Sequence, residues 1–378
     1  MLSTKAKTQA AHFNPQSVLK SIVSTFLPGS SSAANSIPLT TTKSSPPDAI
    51  KISSILNTGN ICSNNKRYLD TPDHYRFHSS YASYCHHGMT PSPIITSLLD
   101  MTDNNSGLSL LPRRRLYGNP FETLSIKSGD DAIIVSPNLI GVADGVSGYS
   151  GEHADSGLFA RSILENISRY FTELSLKHSS DLSGLTNYEI LRDLDLSFQD
   201  SLKVMEFEQL RGSSTLLVGM IIDTTLKVLS LGDSKIFVIR DGEIIFTNKE
   251  QYISPLCPQQ VGTNFPEKKP SEVAEISNIQ LQNDDLIVVS SDGLTDNLYP
   301  DEILQFINGR LNADNTNLQE VTNALLKETK SIAYDSYCVC PYVEKVNELN
   351  NQFIQGGKLD DISICISKVS FNESTYVK

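Results

Sequence analysis

Residues 128–145 read SGDDAIIVSPNLIGVADG. Within them Ala132 to Val135 and Leu139 to Ala143 are nearly continuous apolar runs, and Pro137-Asn138 between them is a turn signal. The pattern predicts a short hairpin with both strands buried. Acidic residues stand at its edges, Asp130-Asp131 before the first run and Asp144 after the second. Beyond the glycine-rich link Gly145 to Gly151, Phe159, Ile163, Ile167, Tyr170 and Leu174 recur three or four apart and predict an amphipathic helix. Leu191, Leu194, Phe198, Leu202 and Met205 predict a second. An antiparallel meander follows in Ser214 to Ile222, Leu226 to Leu231, Lys235 to Arg240 and Glu243 to Thr247, with Asp241-Gly242 as a two-residue turn. Leu286 to Ser290 is a further strand, Ile303, Phe306 and Ile307 and then Leu318, Val321 and Leu325 indicate two more helices, and Ile362 to Val369 is a last strand. Upstream, residues 100–120, with their Gly, Pro and Asn and the run Arg113 to Arg115, read as a long surface loop. The order implies an α+β fold, a four-layer α/β/β/α sandwich with two central antiparallel sheets flanked by helices.

The acidic edges recur. Asp292-Gly293 follows the strand ending at Ser290, and Asp360-Asp361 precedes ISICI at 362–366. One Asp-Gly after a strand is ordinarily a turn. Several acidic strand ends that converge repel one another and hold raised pKa values unless a cation neutralises them. Oxygen ligands without nearby His or Cys suit magnesium or manganese rather than zinc. Such cations lower the pKa of a bridging water and screen a phosphate ester, so metal-assisted phosphate hydrolysis is the reaction class. Other chemistries fit less well. Gly145, Gly148 and Gly151 lack the spacings of nucleotide-binding loops. Ser147 sits in GVSGY, with tyrosine where a nucleophile elbow needs glycine. Cys85, His86 and His87, following His74 and His78, match no standard zinc spacing.

A formal net charge of −12 over 378 residues excludes the broad positive surface that nucleic acid requires, so no nucleic-acid partner is expected. No apolar run approaches a membrane span, and no transmembrane segment is expected. The six cysteines are scattered without a CxxC pair, as in a reducing compartment. Residues 1–47 contain no Asp or Glu, carry Lys5, Lys7, Lys20 and Lys43, and place Val18, Leu19, Ile22, Val23 and Phe26 near helical spacing. A mitochondrial presequence is expected there, or else a disordered tail. Residues 48–74 read as a linker, 75–370 as the folded domain and 371–378 as a C-terminal tail.

The segments GDDA (129–132), VADGVSG (142–148), GSSTLLVGMI (212–221), LGDSKIFVIRDGEI (231–244), SSDGLTDNL (290–298) and GGKLDDISICI (356–366) occur in the order found in the metal-dependent protein phosphatases of type 2C, which the chain resembles from about Tyr75 to Val369. VADGVSGY is similar to the mitochondrial branch of that family in fungi and animals. The resemblance implies a serine/threonine phosphatase whose hydroxide bridges two divalent cations, Mn2+ or Mg2+, and whose substrates are phosphorylated proteins. It implies that Asp144 bridges both metals and Gly145 offers its carbonyl. Asp292 and Asp360 then complete the first metal's shell, and Asp130, with Asp131 beside it, serves the second. Asp144, Asp292 and Asp360 form the catalytic set. Asp361 stands where the family often has Asn and is read as a neighbour, while Asp233 and Asp296 match positions near the site. Two departures stand out: the family's histidine after Asp-Gly is Val146 here, and its phosphate-binding arginine before the acidic pair is absent, the nearest cation being Lys127. A lysine neutralises phosphate without arginine's bidentate fork, and the run Arg113 to Arg115 is another candidate contact. These departures motivate an alternative, a catalytically silent relative that binds and regulates phosphoproteins. Resemblance to that branch also implies a mitochondrial, matrix location rather than a cytoplasmic one, with a link to ubiquinone-biosynthesis or import proteins.

Overall fold

A computed structural model describes residues 74–86, 94–97, 113–115, 123–146, 154–178, 182, 184–311 and 317–372, all within the compact unit Asn60–Lys378. The expected presequence 1–47, the linker 48–74 up to its last residue and the tail from 373 onward lie outside the described residues. In chain order the strands of the two large sheets are β1 (His74–Cys85), β2 (Ile94–Ser97), β3 (Arg113–Arg115), β4 (Leu124–Ser128), β5 (Asp131–Val135), β6 (Leu139–Asp144), β7 (Leu216–Ile222), β8 (Thr225–Leu231), β9 (Lys235–Arg240), β10 (Glu243–Thr247), β11 (Glu275–Gln280), β12 (Leu286–Ser290) and β13 (Ile362–Asn372). The helices are α1 (Ser156–Lys177), α2 (Asn187–Glu208), α3 (Asp292–Thr295), α4 (Pro300–Leu311), α5 (Leu318–Ala333) and α6 (Pro341–Asn350).

A seven-stranded sheet runs β11-β8-β7-β6-β5-β4-β3, and a six-stranded sheet runs β10-β9-β12-β13-β1-β2. All neighbours in both are antiparallel. Alternation along the strands feeds three separate cores. On the outer face of the seven-stranded sheet, Ile134 and Val218 pack with Phe159, Ile163, Leu194 and Phe198 of α1 and α2. On its inner face, Ile133, Val142 and Leu217 meet Ile236, Val289 and Cys365 of the other sheet. Beyond that sheet, Phe237, Val288 and Ile364 pack with Ile303 of α4 and Val321 and Leu325 of α5. These three cores separate four layers, the expected α+β sandwich.

The hairpin at 131–144 forms as its apolar runs predict: every residue of β5 is buried, and β6 is buried up to Asp144. Its register pairs Asp131 with Asp144 and Ala132 with Ala143, so two carboxylate residues lie side by side at the open end. The downstream meander is antiparallel but divided between the sheets, β7 and β8 in one and β9 and β10 in the other. The chain changes sheet at Gly232, whose φ of +105° and position, with an added Cβ 2.6 Å from that of Thr215, demand glycine. The expected loop at 100–120 needs correction where it is described: Arg113 to Arg115 form β3, paired with β4. An edge strand is held by main-chain bonds and needs no apolar residues. The same reason hid β11, whose residues EISNIQ are largely part-exposed or exposed. Helix α6 was not anticipated. It begins at Pro341 after Cys340 and buries only Val343 and Val346, too little for a periodic signal.

Candidate active site

The candidate carboxylates come from both sheets and meet at one end of the sandwich. From the seven-stranded sheet come Asp131 and Asp144, cross-strand partners, with Asp130 in the turn before β5. The Gly145 amide donates to the Asp130 carbonyl at 3.0 Å, closing the hairpin end. Asp144 is anchored through its main chain: its amide donates to Thr215 Oγ1 at 3.1 Å, and its carbonyl accepts from the Thr215 amide and the Ser214 hydroxyl, each at 2.9 Å. From the other sheet, Asp292 opens α3 directly after β12, and Asp296 follows one helical turn later. Asp360 and Asp361 precede β13, the neighbour of β12. Asp233 lies in the crossing between the sheets.

The side chains interact as one charged cluster. Burial first, then the negative charges of Asp292, Asp131, Asp360 and Asp233, push the Asp144 carboxyl well above the usual range. Asp131 is raised by burial and by Asp361, although the Ser291 hydroxyl donates to its Oδ2 at 2.7 Å. Burial and Asp292 raise Asp233 to about 8. Asp361 reaches about 8 through burial and Asp360. Both oxygens of Asp361 accept main-chain N–H groups, Oδ1 from His86 at 2.6 Å and Oδ2 from Asp130 at 2.7 Å. This arrangement suits a residue that braces the loop before β5.

Lys358 is the residue that sequence reasoning missed. Its ammonium is bonded to Asp292 Oδ2, to Asp296 Oδ2 at 2.6 Å and to Asp360 Oδ2 at 3.0 Å. Asn297 brackets its peptide, accepting from the Lys358 amide and donating to the Lys358 carbonyl, both at 2.9 Å. The available signal was a lysine two residues before an acidic pair. Asp296 stands at about 7, raised by burial and Asp292 against the pull of Lys358, whereas the same ammonium outweighs burial at Asp292 and holds it low. Lys127, expected to meet phosphate, pairs with Asp155 at 3.0 Å and is about one-third exposed. Val146 contributes its main chain, its amide donating to the Ser213 carbonyl and its own carbonyl accepting from Ser156 Oγ, each at 2.9 Å. The side chains of Arg113 to Arg115 lie outside the described residues.

Among the described residues, no three acidic, His or Cys side chains are drawn into a closed set of metal ligands. Uncompensated carboxylates repel, and the corner where three of them do converge is held by Lys358. Two buried oxygens, Asp292 Oδ1 and Asp233 Oδ1, have no hydrogen-bond partner. Oxygen-only donors, uncompensated negative charge and unpaired buried oxygens all fit a hard divalent cation.

The raised carboxyls give a stability signature with a definite sign. Asp233, Asp296 and Asp361 release protons at about 8, 7 and 8 when folded, against about 4 unfolded. Between those limits the folded chain binds more protons than the unfolded one, so stability falls as pH rises through the window and levels off above it. The lowered Asp292 and the raised Lys358 act at the acidic and alkaline extremes, outside it. Melting of the chelator-treated protein is expected to drop progressively from pH 5 to pH 8, and manganese is expected to flatten the trend. A melting temperature that rises over this range would contradict the clustering.

The comparisons agree with this geometry. The family model "Protein phosphatase 2C" matches residues 129–328. The probable protein phosphatase 2C BIPP2C1 of Oryza sativa subsp. japonica is 30% identical over 274 residues, 71% of this chain and 42% of the relative, so the chain spans less than half of that protein's length. The Saccharomyces cerevisiae protein named "Protein phosphatase 2C homolog 7, mitochondrial" is 25% identical over 273 residues, 67% of this chain and 78% of the yeast protein. The X-ray structure of the photosystem II phosphatase PBCP shares the fold, with a TM-score of 0.51 at 23% identity over 65% of this chain and 96% of that one. With the family match covering more than half the sequence and running from the first acidic turn through the Asp292 helix, this chain belongs to the protein phosphatase 2C family.

Proposed function

We propose that the domain 75–370 hydrolyses phosphoserine and phosphothreonine in proteins with the help of two divalent cations, Mn2+ or Mg2+. The observation that supports this most is the meeting of Asp131, Asp144, Asp233, Asp292 and Asp360 from both sheets around buried oxygens that lack partners. In this reading Asp144 would serve both ions and Gly145 would offer its carbonyl, Asp292 and Asp360 would hold one ion, and Asp130 with Asp131 would hold the other. The ions would supply positive charge that screens the ester and makes a water nucleophilic at neutral pH. The chain's own part is to fix the carboxylates: Ser291 orients Asp131, Thr215 and Ser214 fix the Asp144 backbone, and Asp361 ties the Asp130 loop to His86. Lys127 would neutralise the substrate phosphate by exchanging Asp155 for it. With valine at 146, the departing alkoxide would take its proton from water or from another group.

Hydrolysis of para-nitrophenyl phosphate and of a phosphothreonine peptide tests the reading. Activity is expected with manganese, to be lost in EDTA and to return on adding manganese back. A folded protein that is inert under all three conditions would support the silent phosphoprotein-binding relative instead.

The mitochondrial name of the yeast relative and the acid-free stretch 1–47 support a mitochondrial location, and the matrix is the compartment proposed. Among the described residues no helix is long and apolar enough to cross a membrane. Proteins of ubiquinone synthesis or import remain substrates suggested by branch resemblance. Fractionation of cells carrying the chain tagged at Lys378 is expected to recover it with the matrix, and exclusive recovery in cytosol would remove both the location and those substrates.

A further inference from the structure

Lys358 is too well built into the acidic cluster to be incidental. Asn297, 2% exposed, brackets its peptide from both sides and donates the same amide nitrogen to the Gly293 carbonyl at 2.9 Å. The ammonium is thereby directed at one oxygen each of Asp292, Asp296 and Asp360. The remaining Asp360 oxygen accepts the Asp361 amide at 2.9 Å, so both Asp360 oxygens are engaged. The remaining Asp292 oxygen is buried and unpaired, as is one oxygen of Asp233, itself 7% exposed. Two of the carboxylates read as metal ligands therefore share a cation that the chain itself supplies.

From this we infer that Lys358 is a protein-borne cation that competes with divalent ions for the Asp292, Asp296 and Asp360 corner, and so sets how many ions the centre takes and how tightly. The inference rests on the metal-dependent reading above. Removing a fixed positive charge within contact distance of ligand carboxylates deepens the local negative potential, and a divalent ion feels that change twice over. Lysine also occupies space that an ion and its waters would need.

Manganese binding by calorimetry, with metal counted after gel filtration, tests this without reference to turnover. Compared with wild type, Lys358→Met is expected to bind manganese roughly tenfold more tightly or to take up an additional equivalent, while Lys358→Arg, which keeps the charge, stays close to wild type. If circular dichroism shows Lys358→Met unfolded, Lys358→Gln, which keeps a donor for Asp296, serves in its place. Unchanged number and affinity in the neutral variant, or weaker binding, would overturn the inference while leaving the metal-dependent reading intact. A wild-type protein that binds no manganese at millimolar concentration would overturn both.

Discussion

Asp144→Asn is expected to lower kcat/KM on para-nitrophenyl phosphate by roughly 10²–10³-fold in manganese, equivalent to about 3–4 kcal/mol of lost transition-state stabilisation. The substitution keeps size and hydrogen-bonding capacity but removes the charge on which Asp292, Asp131, Asp360 and Asp233 converge. Its effect on folding should have the opposite sign. The ionised Asp144 carboxylate is disfavoured by burial and by those neighbours, so an amide in its place should leave the metal-free protein at least as stable as wild type. Activity and melting temperature measured on one preparation separate the possibilities. Loss of activity with an unchanged or higher melting temperature identifies a residue of the reacting centre. Loss of both identifies a structural one. Wild-type activity would remove Asp144 from the mechanism.

Gly293→Ala is expected to destabilise the fold by about 3 kcal/mol, the upper end for an added methyl in a packed site, and to lower the melting temperature by roughly 6–12 °C for a domain of this size. Gly293 is buried in the first turn of α3, and an added Cβ would fall inside the main-chain carbonyl oxygen of Asp361. That oxygen belongs to backbone and has no rotamer to turn away. The contact lies beside the join between the end of β12 and the start of β13, where the Ser291 amide donates to the Ser363 carbonyl at 3.1 Å and the Ser363 amide to Ser291 Oγ at 3.0 Å. Prising this join apart would also move Asp292 away from Asp360, so manganese affinity should fall with stability. Gly309→Ala in α4 is the internal control: an added Cβ there meets nothing within 4 Å, and it should be neutral or slightly stabilising. Equal melting of the two variants would show that the close approach at Gly293 is not maintained.

How much of this molecule could be read from its residues depends on the range of the interactions involved. The buried hairpin, the helices around Phe159 and Phe198 and the Asp241-Gly242 turn were legible because apolar period and turn chemistry are local. Both residues of that turn have positive φ, 51° and 82°, as a two-residue hairpin requires. Strands β3 and β11 left no such trace, since edge pairing is a main-chain matter. The acidic motifs were legible as a set, but their division of labour was not. Asp361 reads as a neighbour of the ligands, but nothing local shows that it spends both oxygens on the amides of His86 and Asp130, 275 and 231 residues away. Lys127 looks free to meet phosphate, yet it faces Asp155.

Short-range pattern was therefore sufficient to establish an α+β sandwich, its buried strands and the acidic residues at their ends. The split of the meander at Gly232, the nearness of the Asp144 and Asp292 charges and the insertion of Lys358 among three carboxylates arise only in the tertiary structure. Each is a contact between segments far apart in the chain, and its energy depends on burial and on the sum of nearby charges, quantities that no window of neighbouring residues contains.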